Sequence, residues 1–278
     1  MKTLQGRCVL LTGASRGLGV HVARALAKAG ANLVLVARSM EGLNAVQKEV
    51  EALGAQARCV QADLLQLDGL PNVVKEAEAA FGGVDVLVNN AALEVVGDFA
   101  TLPLEKIDAL LTVNLSAPIH LTRLLLPKMI QRGRGHILNV SSLAGQAGMP
   151  YWDVYSTTKH GLVGLTRSLR ETCKSEGHPV DVSVVCPGFI SEAGMYADMV
   201  ELSGSTAPKA LGTSSPEAVA TACLNALVQN KAEVLINPMP IRPILIMNIL
   251  FPSLTAWLLR KIGVSSWCRD TAMAQNNT

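Results

Sequence analysis

Seven short apolar runs, separated by longer stretches with helical spacing, constrain the fold of this chain more than any other feature of its sequence. Most of the runs are rich in Val, Ile and Leu without polar alternation, which is typical of strands buried on both faces of a parallel sheet. The runs are Arg7–Leu11, Asn32–Ala37, Ala57–Gln61, Val84–Asn89, His136–Ser141, Val180–Cys186 and Glu233–Ile236. Their order predicts an α/β fold: one domain with a doubly wound parallel sheet of about seven strands and helices on both faces.

The segments between the runs carry helix signals. Ser215-Pro216-Glu217 combines an N-cap residue, a proline suited to the first turn and an acid near the positive end of a helix. Between the second and third runs, the predicted apolar face consists of Leu43, Val46, Val50 and Leu53, before Gly54 ends the helix.

Composition excludes several classes of protein. Of the 278 residues 49% are apolar, so the chain can build a sizeable core, and its net charge of +2 without a basic block disfavours a nucleic-acid partner. The six cysteines form no C-x-x-C pair and suit neither a zinc site nor a disulfide scaffold, so we expect reduced thiols and no metal centre. The first apolar run is too short for a signal-peptide core, so we expect a cytoplasmic protein.

A glycine-rich segment directly follows the first predicted strand and precedes a predicted helix. It reads Thr12-Gly13-Ala14-Ser15-Arg16-Gly17-Leu18-Gly19. Glycines let a backbone turn tightly and approach a pyrophosphate, while the start of a helix offers free N–H groups and a partial positive charge. The segment therefore predicts a dinucleotide-binding site in a Rossmann-type sheet.

Further motifs follow in a fixed order. They are Asp85-Val86-Leu87-Val88-Asn89-Asn90-Ala91, Ser142, Tyr155-x-x-x-Lys159 and Pro187-Gly188. Together with the glycine loop, they resemble the ordered motifs of the classical short-chain dehydrogenase/reductase (SDR) family. The resemblance covers roughly the first 190 residues and the segment Ser215–Ile236, and several motifs in register are far more specific than any one alone.

The resemblance implies a nicotinamide cofactor and a set of residues that contact it. These are Gly13, Ser15, Arg16, Gly17, Leu18, Gly19, Arg38, Asp63, Leu64, Asn90, Ala91, Tyr155, Lys159, Pro187 and Gly188. An enzyme that prefers NAD normally has an acid after the second strand, where this chain has Ala37. Two guanidinium groups, on Arg16 and Arg38, suit the 2′-phosphate of NADP better than an uncharged ribose. The sequence thus favours NADP(H) over NAD(H).

Tyr155 and Lys159 lie four residues apart and would share one face of a helix. A free tyrosine has a pKa of about 10, and a lysine charge about 4 Å away is strong enough to lower it to about 7. The resemblance implies that Tyr155 handles the proton, that Lys159 also holds the nicotinamide ribose and that Ser142 binds the substrate oxygen. It also implies that Asn114 carries a proton relay from Lys159 to solvent through water.

These features predict hydride transfer between NADP(H) and a ketone or aldehyde and its alcohol. Two alternatives stay open: an epimerase or lyase with the same Tyr–Lys pair, and a non-catalytic NADP-binding protein. The segment Glu192–Pro208 is the expected substrate lid, with Gly194 and Gly204 as hinges and apolar residues including Leu202. Its apolar side chains favour a lipophilic substrate. Glu192 departs from the family pattern, which usually has threonine there.

The sequence divides into a catalytic, NADP-binding domain (residues 1–238) and an apolar C-terminal extension (residues 239–278). Within the extension, Ile244–Leu259 is largely apolar but shorter than the roughly 20 residues that span a bilayer, and Pro252 interrupts it. We favour a helix buried over the active site or in a homodimer or homotetramer interface. The alternative is peripheral contact with a membrane surface, supported by two basic residues that follow the segment.

Overall fold

A seven-stranded parallel sheet forms the centre of the protein. The computed structural model describes residues 3–192 and 194–276. The strands of the sheet are β1 (Cys8–Thr12), β2 (Asn32–Ala37), β3 (Ala57–Gln61), β4 (Val86–Asn89), β5 (Gly135–Val140), β6 (Val180–Pro187) and β9 (Glu233–Ile236); β7 (Phe189–Ile190) and β8 (Thr213–Ser214) form a separate parallel pair. The order of the strands in the sheet is β3-β2-β1-β4-β5-β6-β9. This architecture confirms the predicted doubly wound α/β fold.

Helices cover both faces of the sheet. They are α1 (Leu18–Lys28), α2 (Met40–Ala52), α3 (Leu70–Phe81), α4 (Leu104–Leu111), α5 (Ala117–Gln131), α6 (Asp153–Ser175), α7 (Met195–Ser203), α8 (Pro216–Val228), α9 (Ile241–Leu250), α10 (Pro252–Lys261) and α11 (Val264–Asn276). Apolar residues of α1, α2 and α8 pack on one face, and those of α3 and α5 on the other. As predicted, Ser215 caps α8 by accepting a hydrogen bond from the backbone N–H of Ala218 at 3.2 Å.

One residue of the predicted core lies outside it. Leu53 is 40% exposed, whereas Leu43, Val46 and Val50 are buried as expected. Helix α2 ends at Ala52, so Leu53 is its C-cap and the chain has already begun to turn away. Apolar spacing predicted the face of the helix correctly but placed its end one residue too late.

A π-helical turn, Thr112–Ser116, joins α4 to α5 into one helix of 28 residues. This helix is long and apolar enough to cross a membrane by length and composition, yet 44% of its most apolar window is buried inside the protein. Leu121, Leu125 and Met129 are fully buried in the core beside the sheet. We therefore interpret it as a core helix.

The C-terminal extension forms three helices rather than one. The apolar segment breaks at Phe251 between α9 and α10, and α11 then packs against α7. Trp267 of α11 is buried and stacks on Trp152, with ring centroids 5.6 Å apart. The expectation of burial applied to Ile244–Leu259, in which α9 contains no buried residue and Thr255 is the buried residue of α10.

Asp85, just before β4, ties three parts of the sheet together. Its carboxylate accepts hydrogen bonds from the backbone N–H of Cys8 at 3.2 Å and from the Arg134 Nε at 2.6 Å. Asp85→Ala leaves the Cys8 N–H without this acceptor and should lower the free energy of unfolding by about 1–3 kcal/mol in urea denaturation. The control Glu105→Ala, which removes an exposed carboxylate, should change it by less than about 0.5 kcal/mol. Equal losses in the two variants would contradict this role for Asp85.

Candidate active site

A cavity of about 850 Å³ lies at the carboxyl ends of the central strands. The chain crosses over in opposite directions from β1 and β4, so the loops that follow these strands diverge and leave a crevice. All of the predicted cofactor-contacting residues line this cavity, together with Ser142. Asn114 is the one predicted site residue that is not part of the lining. The structure therefore brings together residues that are up to 175 positions apart in the chain, from Gly13 to Gly188.

The glycine loop closes tightly against its surroundings. Gly13 and Gly17 adopt φ values of +67° and +56°, which side-chain-bearing residues rarely adopt. A Cβ at Gly13 would lie 2.8 Å from the Cα of Ala91, and one at Gly19 would overlap the carbonyl oxygen of Gly13. Gly17 is the N-cap of α1, so no side chain occupies the free N–H groups there. This cradle fits a dinucleotide pyrophosphate.

Thr12 and Asn90 hold the glycine loop in place. The Thr12 Oγ1 accepts hydrogen bonds from the backbone N–H groups of Asn90 and Ala91, at 3.0 and 3.1 Å. The Asn90 Nδ2 in turn donates to the carbonyl oxygens of Thr12 and Gly13, at 2.9 and 3.3 Å. The side chain of Asn90 thus braces the loop. Sequence reasoning placed Thr12 in the glycine motif but missed this bracing role.

Ser142, Tyr155 and Lys159 converge on one end of the cavity. The Lys159 Nζ lies 5.5 Å from the centre of the Tyr155 ring and donates a hydrogen bond to the Val140 carbonyl oxygen at 3.1 Å. Tyr155 and Ser142 share a hydrogen bond. The neighbouring Ser141 instead donates to the Lys159 carbonyl oxygen at 2.9 Å, so its hydroxyl is directed to the backbone of α6.

Burial dominates the acidity of the Tyr–Lys pair. It raises the pKa of Tyr155 above its usual value, the Glu94 charge raises it further, and the hydrogen bond with Ser142 opposes the rise. Burial also lowers the pKa of Lys159 to about 8. In the chain by itself the Tyr155 pKa is therefore raised and not lowered to about 7 as the Tyr–Lys spacing predicts, because burial of the phenolate is the largest cause.

Asn114 lies in the π-helical turn, a type of irregularity frequent at functional sites. Its Oδ1 accepts a hydrogen bond from the Leu93 N–H at 2.7 Å, and its Nδ2 donates to the Leu93 carbonyl oxygen at 2.8 Å. The Nδ2 also contacts the hydroxyl of Thr158, the residue before Lys159, at 3.3 Å. Asn114 therefore connects the segment after β4 to helix α6.

Arg38 and Arg16 line the cavity, as do Asp63 and Leu64. Arg38 is exposed just beyond β2. The Arg16 Nη1 pairs with the carboxylate of Asp198 in α7 at 3.1 Å, and both side chains are largely exposed. Because a surface ion pair of this kind is weak, Arg16 keeps the freedom to bind another anion.

The opposite end of the cavity is apolar and aromatic. Met149, Phe189, Met195 and Tyr196 line it, and Phe189 packs against Trp267 of α11 with ring centroids 5.4 Å apart. In the predicted lid, of which Ala193 lies outside the described residues, Gly194 and Gly204 flank α7 with positive φ, and their role as hinges stays a prediction. Leu202 is 43% exposed and does not face the cavity, because it lies on the outer side of α7. Glu192 is also exposed, with φ +66°.

Glu94 is a polar residue of this apolar end that sequence reasoning missed. Its Oε1 accepts a hydrogen bond from the Trp152 indole N–H at 2.7 Å, and it lines the cavity. Burial raises the pKa of the Glu94 carboxyl above its usual range. The only signal in the sequence was a lone acid four residues after the paired asparagines, and nothing local distinguishes such an acid from a surface residue.

Comparisons with known proteins agree with this geometry. The short chain dehydrogenase family model matches residues 7–201. Ketoacyl reductase HetN of Nostoc sp. is 44% identical over 241 residues, covering 87% of this chain and 82% of the relative. A Drosophila melanogaster dehydrogenase/reductase SDR family protein 7-like is 30% identical, covering 94% and 82%. The crystal structure of a metagenomic short-chain oxidoreductase in complex with NADP is 36% identical, with a TM-score of 0.71, covering 85% of this chain and 98% of that one.

The chain belongs to the short-chain dehydrogenase family of oxidoreductases, whose members bind a nicotinamide cofactor. This result confirms the family resemblance that the ordered motifs carry.

The raised pKa of Glu94 makes a prediction about stability. The folded protein keeps the Glu94 proton to higher pH than the unfolded chain, so this residue's contribution to stability falls as the pH rises above about 4.3. Glu94→Gln keeps an oxygen that accepts from Trp152 but cannot ionise. The variant should therefore gain stability relative to wild type between about pH 5 and about pH 7 in urea denaturation. Glu105→Gln, at an exposed site, controls for net charge, and a Glu94→Gln difference that stays constant with pH would contradict the prediction.

Proposed function

We propose that this protein is an NADP(H)-dependent oxidoreductase that interconverts a lipophilic ketone or aldehyde and its alcohol. The observation that carries the proposal is the meeting of Ser142, Tyr155 and Lys159 in one cavity that continues to the glycine loop and Arg38. A protein that only bound the dinucleotide would have no evident use for a hydrogen-bonded serine and tyrosine at the far end of that cavity.

In this mechanism, the bound cofactor supplies or accepts the hydride. Ser142 and the Tyr155 hydroxyl bind the carbonyl oxygen of the substrate, and Tyr155 donates its proton to that oxygen during reduction. The Lys159 ammonium has three N–H donors, of which the Val140 carbonyl accepts one, and the others would hold the nicotinamide ribose. Its positive charge stabilises the tyrosinate that forms when the proton leaves.

We assign the glycine loop, Asp63, Leu64, Asn90, Ala91, Pro187 and Gly188 to binding the cofactor, on the basis of their place in the cavity lining. Asn114 is assigned to a water-mediated relay that returns a proton to Lys159. Its bond to Thr158, next to Lys159, supports that position. The active form is proposed to be a homodimer or homotetramer in the cytoplasm.

The apolar end of the cavity supports a lipophilic substrate. Its walls are aromatic rings and methionines, which bind apolar surfaces of varied shape. Glu94 is a polar residue at this end, and burial raises the pKa of its carboxyl, which favours the protonated form that can donate a hydrogen bond to a second oxygen of the substrate.

Tyr155→Phe removes the proposed proton donor without changing the shape of the site. The rate of NADPH oxidation with a panel of hydrophobic ketones should fall about 10²- to 10⁴-fold, while NADPH binding by fluorescence titration persists. Tyr151→Phe is the matched control, because this tyrosine packs nearby without lining the cavity. Turnover of Tyr155→Phe at the wild-type rate would refute the mechanism. Product formation without net NADPH consumption would favour an epimerase or lyase.

Arg38→Ser should shift cofactor preference. Loss of a charge-assisted contact to the 2′-phosphate is expected to lower kcat/KM for NADPH about 10- to 100-fold and to leave that for NADH nearly unchanged. Arg16→Ser should have a smaller effect, because Asp198 competes for that guanidinium. Arg58→Ser, at an exposed site on the edge strand β3, serves as the control. Equal losses with NADPH and NADH would contradict the assignment of Arg38.

A further inference from the structure

Helices α9 and α10, with the residue between them, expose several large apolar side chains. Six of them, between 46% and 76% exposed, define this docking face: Ile246, Ile249, Leu250, Phe251, Leu254 and Trp257. Scattered exposed apolar residues are normal on a protein surface, whereas such a concentration on one helix pair marks an interaction site.

The charges within the segment that carries the docking face have one sign. Residues 239–269 contain no Asp or Glu, but they contain Arg242, Arg260, Lys261 and Arg269. The Lys261 Nζ lies 4.5 Å from the centre of the Trp257 ring, so a cation and an amphipathic aromatic ring share one spot. Tryptophan and basic side chains together are typical of the headgroup region of a membrane, and anionic lipids attract the basic ones.

A second copy of the chain is a poorer partner for this face. A two-fold contact pairs a surface with itself, so a face whose own segment, residues 239–269, carries basic residues and no acid would bring like charges together. Each of the two helices has 10 residues, half the length that crosses a bilayer. The face can therefore lie on a bilayer but cannot span it.

The same helices form a wall of the active-site cavity. Ile241, Leu245 and Leu259 line it from inside. Met239 and Ile262 line it as well, and they are 49% and 46% exposed, so they form an apolar rim that opens beside the docking face. A substrate that leaves the acyl region of a bilayer would meet apolar side chains along the whole way into the cavity.

We propose that α9 and α10 dock this protein on the surface of bilayers with anionic lipids, and that the lipophilic substrate passes between that bilayer and the cavity. The proposal of docking rests only on the exposed apolar side chains of this face and on the charges of its segment. The route of the substrate rests additionally on the function proposed above.

The test uses the full chain and the double variant Phe251→Asp/Leu254→Asp. Aspartate suits both positions locally, because Phe251 is the N-cap of α10 and residue 254 lies in its first turn. The matched control is Leu53→Asp/Phe99→Asp, in which Phe99 is 59% exposed, like Phe251, and Leu53 is 40% exposed against 47% for Leu254. Binding is measured by co-sedimentation with phosphatidylcholine vesicles, with and without phosphatidylglycerol.

Wild type and the control variant should sediment with the vesicles that contain phosphatidylglycerol, more weakly at high salt. The partition coefficient of Phe251→Asp/Leu254→Asp should be lower by roughly 10-fold or more. Equal binding of the three proteins, or no binding of any of them, would overturn the docking. A wild-type dimer that this variant alone converts to monomers, without vesicle binding, would assign the face to a second copy instead.

Activity tests the route separately. With a long-chain ketone presented in vesicles, the docking variant should lose roughly 10-fold in kcat/KM, and with a short water-soluble ketone it should match wild type. Equal activity of both proteins towards the vesicle-borne ketone would overturn the route but leave the docking and the reductase function intact. Absence of NADPH oxidation with either ketone in wild type would overturn the reductase function, whereas vesicle sedimentation does not depend on turnover.

Discussion

The close approach between the glycine loop and the segment after β4 is the contact on which the rest of the site depends. No side chain fits between Gly13 and Ala91, and Thr12 and Asn90 close the remaining gap with hydrogen bonds. The glycine loop therefore packs closely against the segment after β4, and a single cavity extends along the carboxyl end of the sheet from Arg38 to Tyr155. The proposed dinucleotide site and the proposed catalytic residues lie in that one cavity.

Burial sets the acidity of the polar groups in the site. Tyr155 and Lys159 are almost completely excluded from solvent, and this desolvation raises the pKa of Tyr155 and lowers that of Lys159, so that it favours the neutral form of each. Burial therefore keeps Tyr155 in its protonated form, in which the hydroxyl can donate a hydrogen bond. At this buried end of the cavity, a substrate meets the hydrogen-bond donors of Tyr155 and Lys159.

The C-terminal extension shows how one segment serves two environments. Helix α11 completes the aromatic cluster through Trp267, while α9 and α10 contribute a cavity wall on one side and exposed apolar side chains on the other. A helix that is apolar all round is usually buried, and that rule led to the expectation of burial. This expectation is only partly correct for α9 and α10, because their apolar side chains line the cavity on one side and are exposed on the other.

The sequence by itself determined the sheet, the glycine loop and the Tyr–Lys pair, because each depends on neighbours within a few positions: unbroken apolar runs, glycines before a helix, and a four-residue spacing. Tertiary structure alone decided that Glu94 meets Trp152, that Arg16 pairs with Asp198 and that Leu53 and Leu202 face outwards. Tertiary structure also decided that the pKa of Tyr155 lies above its usual value. Burial and contacts between distant residues are properties of the packed chain, so no local pattern encodes them.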